Sequence, residues 1–313
     1  MNFSSGNITD NSSSITSSSS NTSSTESAIL PIVPTPDDII VGVAMTVSSV
    51  LCIIPNVVVL KLIYSDKELY RLNAYKFMIL LGYFDISQLV VHAITGFFNM
   101  FQSVGAYWFA KALGVIATPS YVAYAILTII LAFNRFIQIT FPGLDEILFS
   151  PKFMKVWYGV AISGFCLFAL ALVSPWASII YLPEWWSWSY DYNLPNSQTV
   201  QDFEKVVEIG GIPIAGILYL LVFILLIKKR KQFKVSRNYI TEVKVLIQAV
   251  IITIYCSILN CFWHDLFKVP PTKEAYMALN FMWIFNGAVN PVVYFILNAY
   301  ALSLAYFNIL YKF

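Results

Sequence analysis

The residues able to do chemistry in this 313-residue chain sit inside long apolar stretches. Asp85, Gln88, His92, Thr95 and Asn99 recur in steps of three and four, which puts them on one face of a helix. A carboxylate at the centre of a bilayer costs ~2.5–3.5 kcal/mol on insertion scales, so Asp85 is expected to face a bundle interior and to find a partner there. The competing reading is a structural stripe that only hydrogen-bonds neighbouring helices; for His92 the two readings stand level. Ala117, Tyr121, Tyr124, Thr128 and Arg135 share a second face by the same counting. Arg135 closes it within Phe133-Asn134-Arg135-Phe136, where a terminal arginine can also simply snorkel to the headgroups. Near the end of the last apolar stretch, Asn290-Pro291-Val292-Val293-Tyr294 sets a proline beside an asparagine, with a tyrosine one turn later. Lipid tolerates such a broken helix ladder only where neighbouring helices satisfy the freed backbone groups.

None of these sets is hydrolytic or redox machinery. His264 and Asp265 are adjacent, and adjacent helix residues do not face each other. No G-x-S-x-G, H-E-x-x-H, phosphate loop or dinucleotide fingerprint occurs, so neither an enzyme nor a cofactor is expected. Cys52, Cys166, Cys256 and Cys261 all lie in apolar stretches and read as small buried thiols, with no disulfide expected in the outer loops.

The elements that hold these residues follow from composition. At 58% hydrophobic and 12% charged residues the chain is too apolar for a soluble globule, and a bilayer must be its solvent. A net charge of +2 gives no reason to expect nucleic acid as a partner. Residues 1–37 open with a Ser/Thr/Asn-rich tract that reads as a disordered extracellular tail. It carries four glycosylation patterns, at Asn2, Asn7, Asn11 and Asn21, and no cleaved signal peptide is expected before it. Seven apolar stretches follow at about 39–64, 74–101, 108–140, 156–182, 206–227, 243–267 and 275–299, each near the ~17–25 residues of a membrane span. The domain organisation is therefore tail 1–37, an all-α seven-helix domain 38–300 and a short cytoplasmic tail 301–313.

Loop charge sets the orientation. With the tail outside, only Lys111, Lys205, Lys268 and Lys273 of the 19 lysines and arginines fall on the outer side. The acids Asp37, Asp38, Glu184, Asp191, Asp202, Glu204 and Glu274 are read as outer-loop residues. This satisfies the positive-inside rule, with the amino end extracellular and the carboxyl end cytoplasmic. The third inner loop holds Lys228-Lys229-Arg230-Lys231, either topogenic and lipid-binding charge or a docking rim for a cytosolic partner. The second outer loop, Pro183 to Tyr192, contains Trp185, Trp186 and Trp188. It reads as an interfacial anchor or, more sharply, as a lid over a pocket.

These residues resemble the rhodopsin-like G-protein-coupled receptors. Asn290-Pro291-Val292-Val293-Tyr294 fits that family's N-P-x-x-Y pattern, and Leu81-Gly82-Tyr83-Phe84-Asp85 its L-x-x-x-D pattern. Asn56, Arg135, Trp157 and Pro213 fit single positions in the first, third, fourth and fifth spans. Within that class the chain is most similar to the nematode serpentine chemoreceptors of class T. The pointers are Leu131-Ala132-Phe133-Asn134-Arg135, Tyr75-Lys76-Phe77-Met78 and Leu246-Ile247-Gln248-Ala249.

The resemblance implies a receptor in the plasma membrane for an extracellular small molecule or peptide, signalling to a heterotrimeric G protein. It implies ligand contacts at Asn99, Thr118, Tyr121, Asn280 and Trp283. It implies a switch network of Asn56, Asp85, Asn286 and Asn290, with Pro291, and a sodium site at Asp85 where Tyr124 replaces a small hydroxyl residue. Tyr294 and Arg135 would reorganise at the inner end, and Arg135 with Lys228 to Lys231 would meet the G protein. Departures from the pattern have consequences too. No cysteine stands near Ala110 or in the second outer loop, so packing must hold that loop. Ala117 falls where aminergic receptors carry an aspartate, which argues against a biogenic amine. Asn134 precedes Arg135 in place of an acid, which implies raised basal activity, and the tail offers only Ser303 for phosphorylation. A transporter or channel is the alternative, and would need paired broken helices or a continuous ionisable path.

Overall fold

The computed structural model describes residues 33–229 and 237–297. The first helix, α1 (Pro36–Ser65), starts at a capping box. Thr35 Oγ1 accepts from the Asp38 amide at 3.3 Å, Asp38 Oδ2 accepts from the Thr35 amide at 2.9 Å, and Pro36 takes the first helical position. A short α2 (Lys67–Arg71) leads into α3 (Asn73–Phe101), then α4 (Tyr107–Thr140), a surface turn of helix α5 (Pro142–Leu148) and α6 (Pro151–Val173). A two-stranded hairpin follows, β1 (Ile179–Leu182) against β2 (Ser187–Tyr190), joined by a single 3₁₀ turn at Pro183–Trp185. The chain continues through α7 (Ser197–Lys205), a π-turn (Val206–Gly210) and α8 (Gly211–Lys229), then α9 (Arg237–Trp263) and α10 (Lys273–Leu297). Among the described residues seven helices are long and apolar enough to cross a membrane, with α7 to α8 counted as one from Ser197 to Lys228.

Two of the sequence-derived boundaries are corrected. The fourth span does not run to residue 182: α6 ends at Val173, because Pro175 forces Ser174 out of the helical region (ψ 159°), and residues 179–182 become β1. The fifth span starts at Ser197 rather than 206, so Glu204 is not in a loop but buried inside the bundle. Asp38, also assigned to the outer side, is buried at the start of α1.

The helices α1 and α3 cross where Gly42 meets Gly96; a Cβ on either would run into the other's carbonyl oxygen, so only glycine lets the backbones approach. The central helix is α4, whose Ala117, Tyr121, Tyr124 and Leu127 belong to the main apolar cluster together with residues of α3, α6, α8, α9 and α10. The outward faces of the long helices carry exposed Val, Ile, Leu and Phe, as lipid-facing surfaces do. Below, the two ends of the bundle are called the hairpin end and the arginine end.

Candidate functional site

The hairpin folds inward over one end of the bundle. Trp186, Trp188 and Tyr190 are buried, and so are Tyr181 and Ile179 on the facing strand. No disulfide holds it, since all four cysteines are free. Instead, Trp186 donates its indole N–H to Asp38 Oδ1 at 2.7 Å, and the Lys273 ammonium sits 4.8 Å from the Trp186 ring and 3.7 Å from the same Asp38 oxygen. Asn280 Nδ2 donates to the Trp186 carbonyl at 2.8 Å. Gly114 on α4 admits the Ile179 carbonyl so closely that a Cβ would stand 2.5 Å from it. Of the two sequence-derived readings of this loop, the geometry is that of a lid.

Beneath the hairpin lies a narrow cleft lined by Tyr121, Glu204, Glu208, Leu259, Asn260, Trp263 and Trp283. Glu204 and Glu208 are 2% and 1% exposed. Glu204 Oε2 accepts from the Tyr190 hydroxyl at 2.8 Å, and Glu208 Oε2 lies 2.9 Å from His264 Nε2. Glu208 Oε1 and His264 Nδ1 are buried without a hydrogen-bond partner. Burial pushes the His264 imidazole down to about 4, against the opposing pull of Glu204, so the ring is neutral near pH 7.

The π-turn at Val206–Gly210 carries Glu208. Its local cause is Gly210-Gly211 followed by Pro213, which cannot donate back along the helix and so loosens the ladder just before it. Asn260 Nδ2 reaches the Glu208 carbonyl at 3.4 Å, while Asn260 Oδ1 accepts from the Tyr121 hydroxyl at 2.7 Å.

A polar chain runs from this cleft into the bundle. Trp283 donates its indole N–H to Gln88 Oε1 at 2.6 Å. One turn along α3 from Gln88 lies Asp85, whose Oδ2 accepts from Asn290 Nδ2 at 3.0 Å; Asn290 Nδ2 also lies 3.0 Å from the Tyr124 hydroxyl. Pro291 removes the amide that would bond the Gly287 carbonyl one turn back, and Asn56 Nδ2 donates to that carbonyl at 2.6 Å. The broken ladder of α10 is thus completed from α1. Asn286 Oδ1 accepts from Cys256 Sγ at 3.2 Å.

At the arginine end, Arg135 donates to Gln138 Oε1 at 3.0 Å, and Asn134 donates to Asp145 Oδ1 at 3.2 Å. Tyr294 is buried edge-on to Tyr75, with ring centroids 6.3 Å apart. Between these groups and Asp85 lies a second small cavity, lined by Tyr124, Thr128, Tyr219, Gln248, Ile252 and Asn290 among others.

The family described as "Serpentine type 7TM GPCR chemoreceptor Srt" matches residues 32–303. The chain belongs to this family. The Srt chain also shares its fold with squid rhodopsin: a crystal structure of that protein superposes with a TM-score of 0.70 at 15% identity, covering 90% of this chain and 89% of the other. No curated protein matches the chain in sequence. The Srt chain is therefore a multi-pass membrane protein of the G-protein-coupled receptor type, in a family of receptors rather than enzymes.

The structure of this Srt protein gathers only some of the residues singled out from sequence. Tyr121 and Trp283 line the cleft. Asn280 holds the hairpin, and Asn99 lies deep beneath it with its amide on Met45 Sδ at 3.2 Å. Thr118 is buried on α4 with its hydroxyl unpartnered, and does not line the cleft. Asn56, Asp85 and Asn290 come close together, but Asn56 bonds the Gly287 backbone rather than the carboxylate. Asp85 Oδ1 is buried without a partner, so a sodium ion would have one carboxylate oxygen to bind, beside the Tyr124 phenol. Trp157 faces the arginine end and donates to the Leu148 carbonyl. Lys228 is exposed at the end of α8; Arg230 and Lys231, the sequons at Asn2, Asn7, Asn11 and Asn21, and Ser303 lie outside the described residues. Sequence reasoning missed Glu204, Glu208, Asn260, Trp263 and His264 as one group. Glu204 and Glu208 are four apart, a helical step that only the misplaced start of the fifth span concealed.

Proposed function

We propose that this Srt-family chain is a chemosensory receptor that binds an extracellular ligand beneath the hairpin and activates a heterotrimeric G protein at the arginine end. The amino end lies outside the plasma membrane, with sequons at Asn2, Asn7, Asn11 and Asn21 available for glycans, and the carboxyl end lies in the cytosol. Loop charge supports this orientation. The reading rests on one observation: Trp283 both lines the cleft and donates to Gln88, one turn from the Asp85–Asn290 pair. A ligand that moves Trp283 therefore acts on the helix pair that carries the broken ladder of α10. Its differential affinity for two arrangements of α10 shifts their populations.

Tyr121 and Trp283 contact the ligand, while Asn99, Thr118 and Asn280 position the walls and the lid. Asn56, Asp85, Asn286, Asn290, Pro291 and Tyr294 form the switch, and a sodium ion held at Asp85 Oδ1 would stabilise one of its states. Arg135 and the basic run Lys228, Lys229, Arg230, Lys231 meet the G protein. A ligand screen in cells expressing promiscuous G proteins tests the proposal. A saturable second-messenger response that Arg135→Ala abolishes is expected; full signalling by Arg135→Ala overturns the role given to the arginine end.

A further inference from the structure

Two buried carboxyl groups line the cleft beneath the hairpin, and among the described residues no lysine or arginine side chain stands between them. Glu204 and Glu208 are one turn apart and almost fully buried, and both line the cavity. Among the described residues, no lysine or arginine is ion-paired with either. Lys205, next to Glu204, turns outward to Asp202 at 3.9 Å. His264 contacts Glu208 but is held neutral by burial, so it contributes a hydrogen bond and no counter-charge. Glu208 Oε1 is left with no partner at all.

Burying a carboxylate without a counter-charge or a full set of hydrogen bonds is expensive, and two within one turn compound the cost. Around the carboxylates stand three rings: Trp263 and Trp283 have centroids 5.0 Å apart, and Tyr121 lies 5.7 Å from Trp283. Aromatic faces attract cations, more strongly where water is excluded. Among the described residues no group of three His, Cys, Asp or Glu side chains is arranged to hold a metal ion. The side chains leave between them space for about one water molecule, so an occupant must be small and must move the rings as it enters.

We propose that this cleft binds a small organic ammonium ion, with the charged nitrogen between Glu204 and Glu208 and the apolar part against Trp263, Trp283 and Tyr121. The inference rests on reading the cleft as the ligand pocket. Ala117 argues only against an amine anchored from α4; here the anchoring carboxylates come from the α7 to π-turn segment.

The test uses the full chain purified in lipid nanodiscs, with isoamylamine as the probe and isoamyl alcohol as its uncharged counterpart. Tryptophan fluorescence and thermal stability are read together. The amine is expected to change the fluorescence saturably, to raise the melting temperature, and to bind about tenfold or more tightly than the alcohol. Glu208→Gln is expected to erase that difference and Glu204→Gln to reduce it severalfold. Equal binding of amine and alcohol, binding of neither, or an unchanged amine affinity in Glu208→Gln overturns the proposal. If Glu208→Gln does not fold, the amine-to-alcohol ratio in the parent chain decides alone. Amine binding without any G-protein response would overturn the receptor reading and leave this site standing. A second-messenger response to neutral ligands, with no amine binding, would do the reverse.

Discussion

The two ends of the bundle are held together differently. At the hairpin end, hydrogen bonds join elements far apart in sequence: Trp186 to Asp38, Asn280 to Trp186, Tyr121 to Asn260, Glu208 to His264 and Trp283 to Gln88. At the arginine end, Arg135 bonds Gln138 and Asn134 bonds Asp145 within the same stretch of chain, and one long-range bond, from Asn73 Nδ2 to the Phe149 carbonyl at 2.9 Å, ties α3 to the start of α6. There, α4, α8 and α9 meet mainly through apolar contacts of Ala132, Tyr219, Val222, Leu246 and Ala249, next to the second cavity. A hydrogen bond has one geometry, whereas an apolar contact survives a slide of an ångström or two. Among the described residues, the contact of α4 with α8 and α9 is therefore the part of the bundle that a slide of packed helices would disturb least. Such a shift is one of the established forms of switching.

This contrast can be broken by experiment. The largest effect expected is on signalling. Arg135→Ala should abolish the second-messenger response while changing ligand affinity far less, because Arg135 does not line the cleft. A parallel loss of binding would show that the two ends are one unit. Next in size is Trp186→Ala, which removes a buried indole together with its bond to Asp38. A loss of about 3–5 kcal/mol is expected, read as a fall in melting temperature in nanodiscs. Hydrogen exchange should then rise in residues 179–190 and stay unchanged in α5 and at the start of α6.

Asn56→Ala leaves the Gly287 carbonyl unpaired next to Pro291, and a cost of about 1–3 kcal/mol is expected. Asn56→Asp should not rescue it, because a carboxylate accepts and cannot donate to a carbonyl. The smallest effect is on pH dependence. His264 has a folded value near 4 against about 6.5 unfolded, so between these values the unfolded chain binds the extra proton. The contribution of His264 to stability should therefore fall as the pH is lowered from about 6.5 and level off below about 4. The difference in thermal unfolding between the parent and His264→Gln across the range should show that fall.

Most of the fold was legible because a bilayer imposes it: length and apolarity place seven spans with few alternatives. The fourth span was overrun because β1 is as apolar as a helix, and only Pro175 separates them. The break at Asn290-Pro291 was legible because a proline inside an apolar span leaves a carbonyl that a neighbouring helix must satisfy. That Asn56 would satisfy it depends on helix packing and is not written locally. The acidic pocket was hidden by a boundary. Glu204 reads as a loop acid until the helix is known to begin at Ser197, and His264 gains its role only when α9 brings it to Glu208. Asn99 and Asn280 are expected from sequence as ligand contacts; the structure bonds Asn99 to Met45 Sδ and Asn280 to the Trp186 carbonyl.

The π-turn at Val206–Gly210 makes the pocket depend on a count of residues as well as on their kinds. Such a turn holds one residue more than the α-helix it interrupts. One residue is worth about 100° of rotation, so every side chain before it points elsewhere than an unbroken α8 would send it. Deleting Ile209 would keep both glutamates and every ring in the sequence, yet swing Glu204 away from Tyr190. Related chains with the same residues and a one-residue gap here would present a different lining to the same visitor. Ligand preference in such receptors can thus drift through small changes in length, without any change in the residues that a comparison of pocket composition would score.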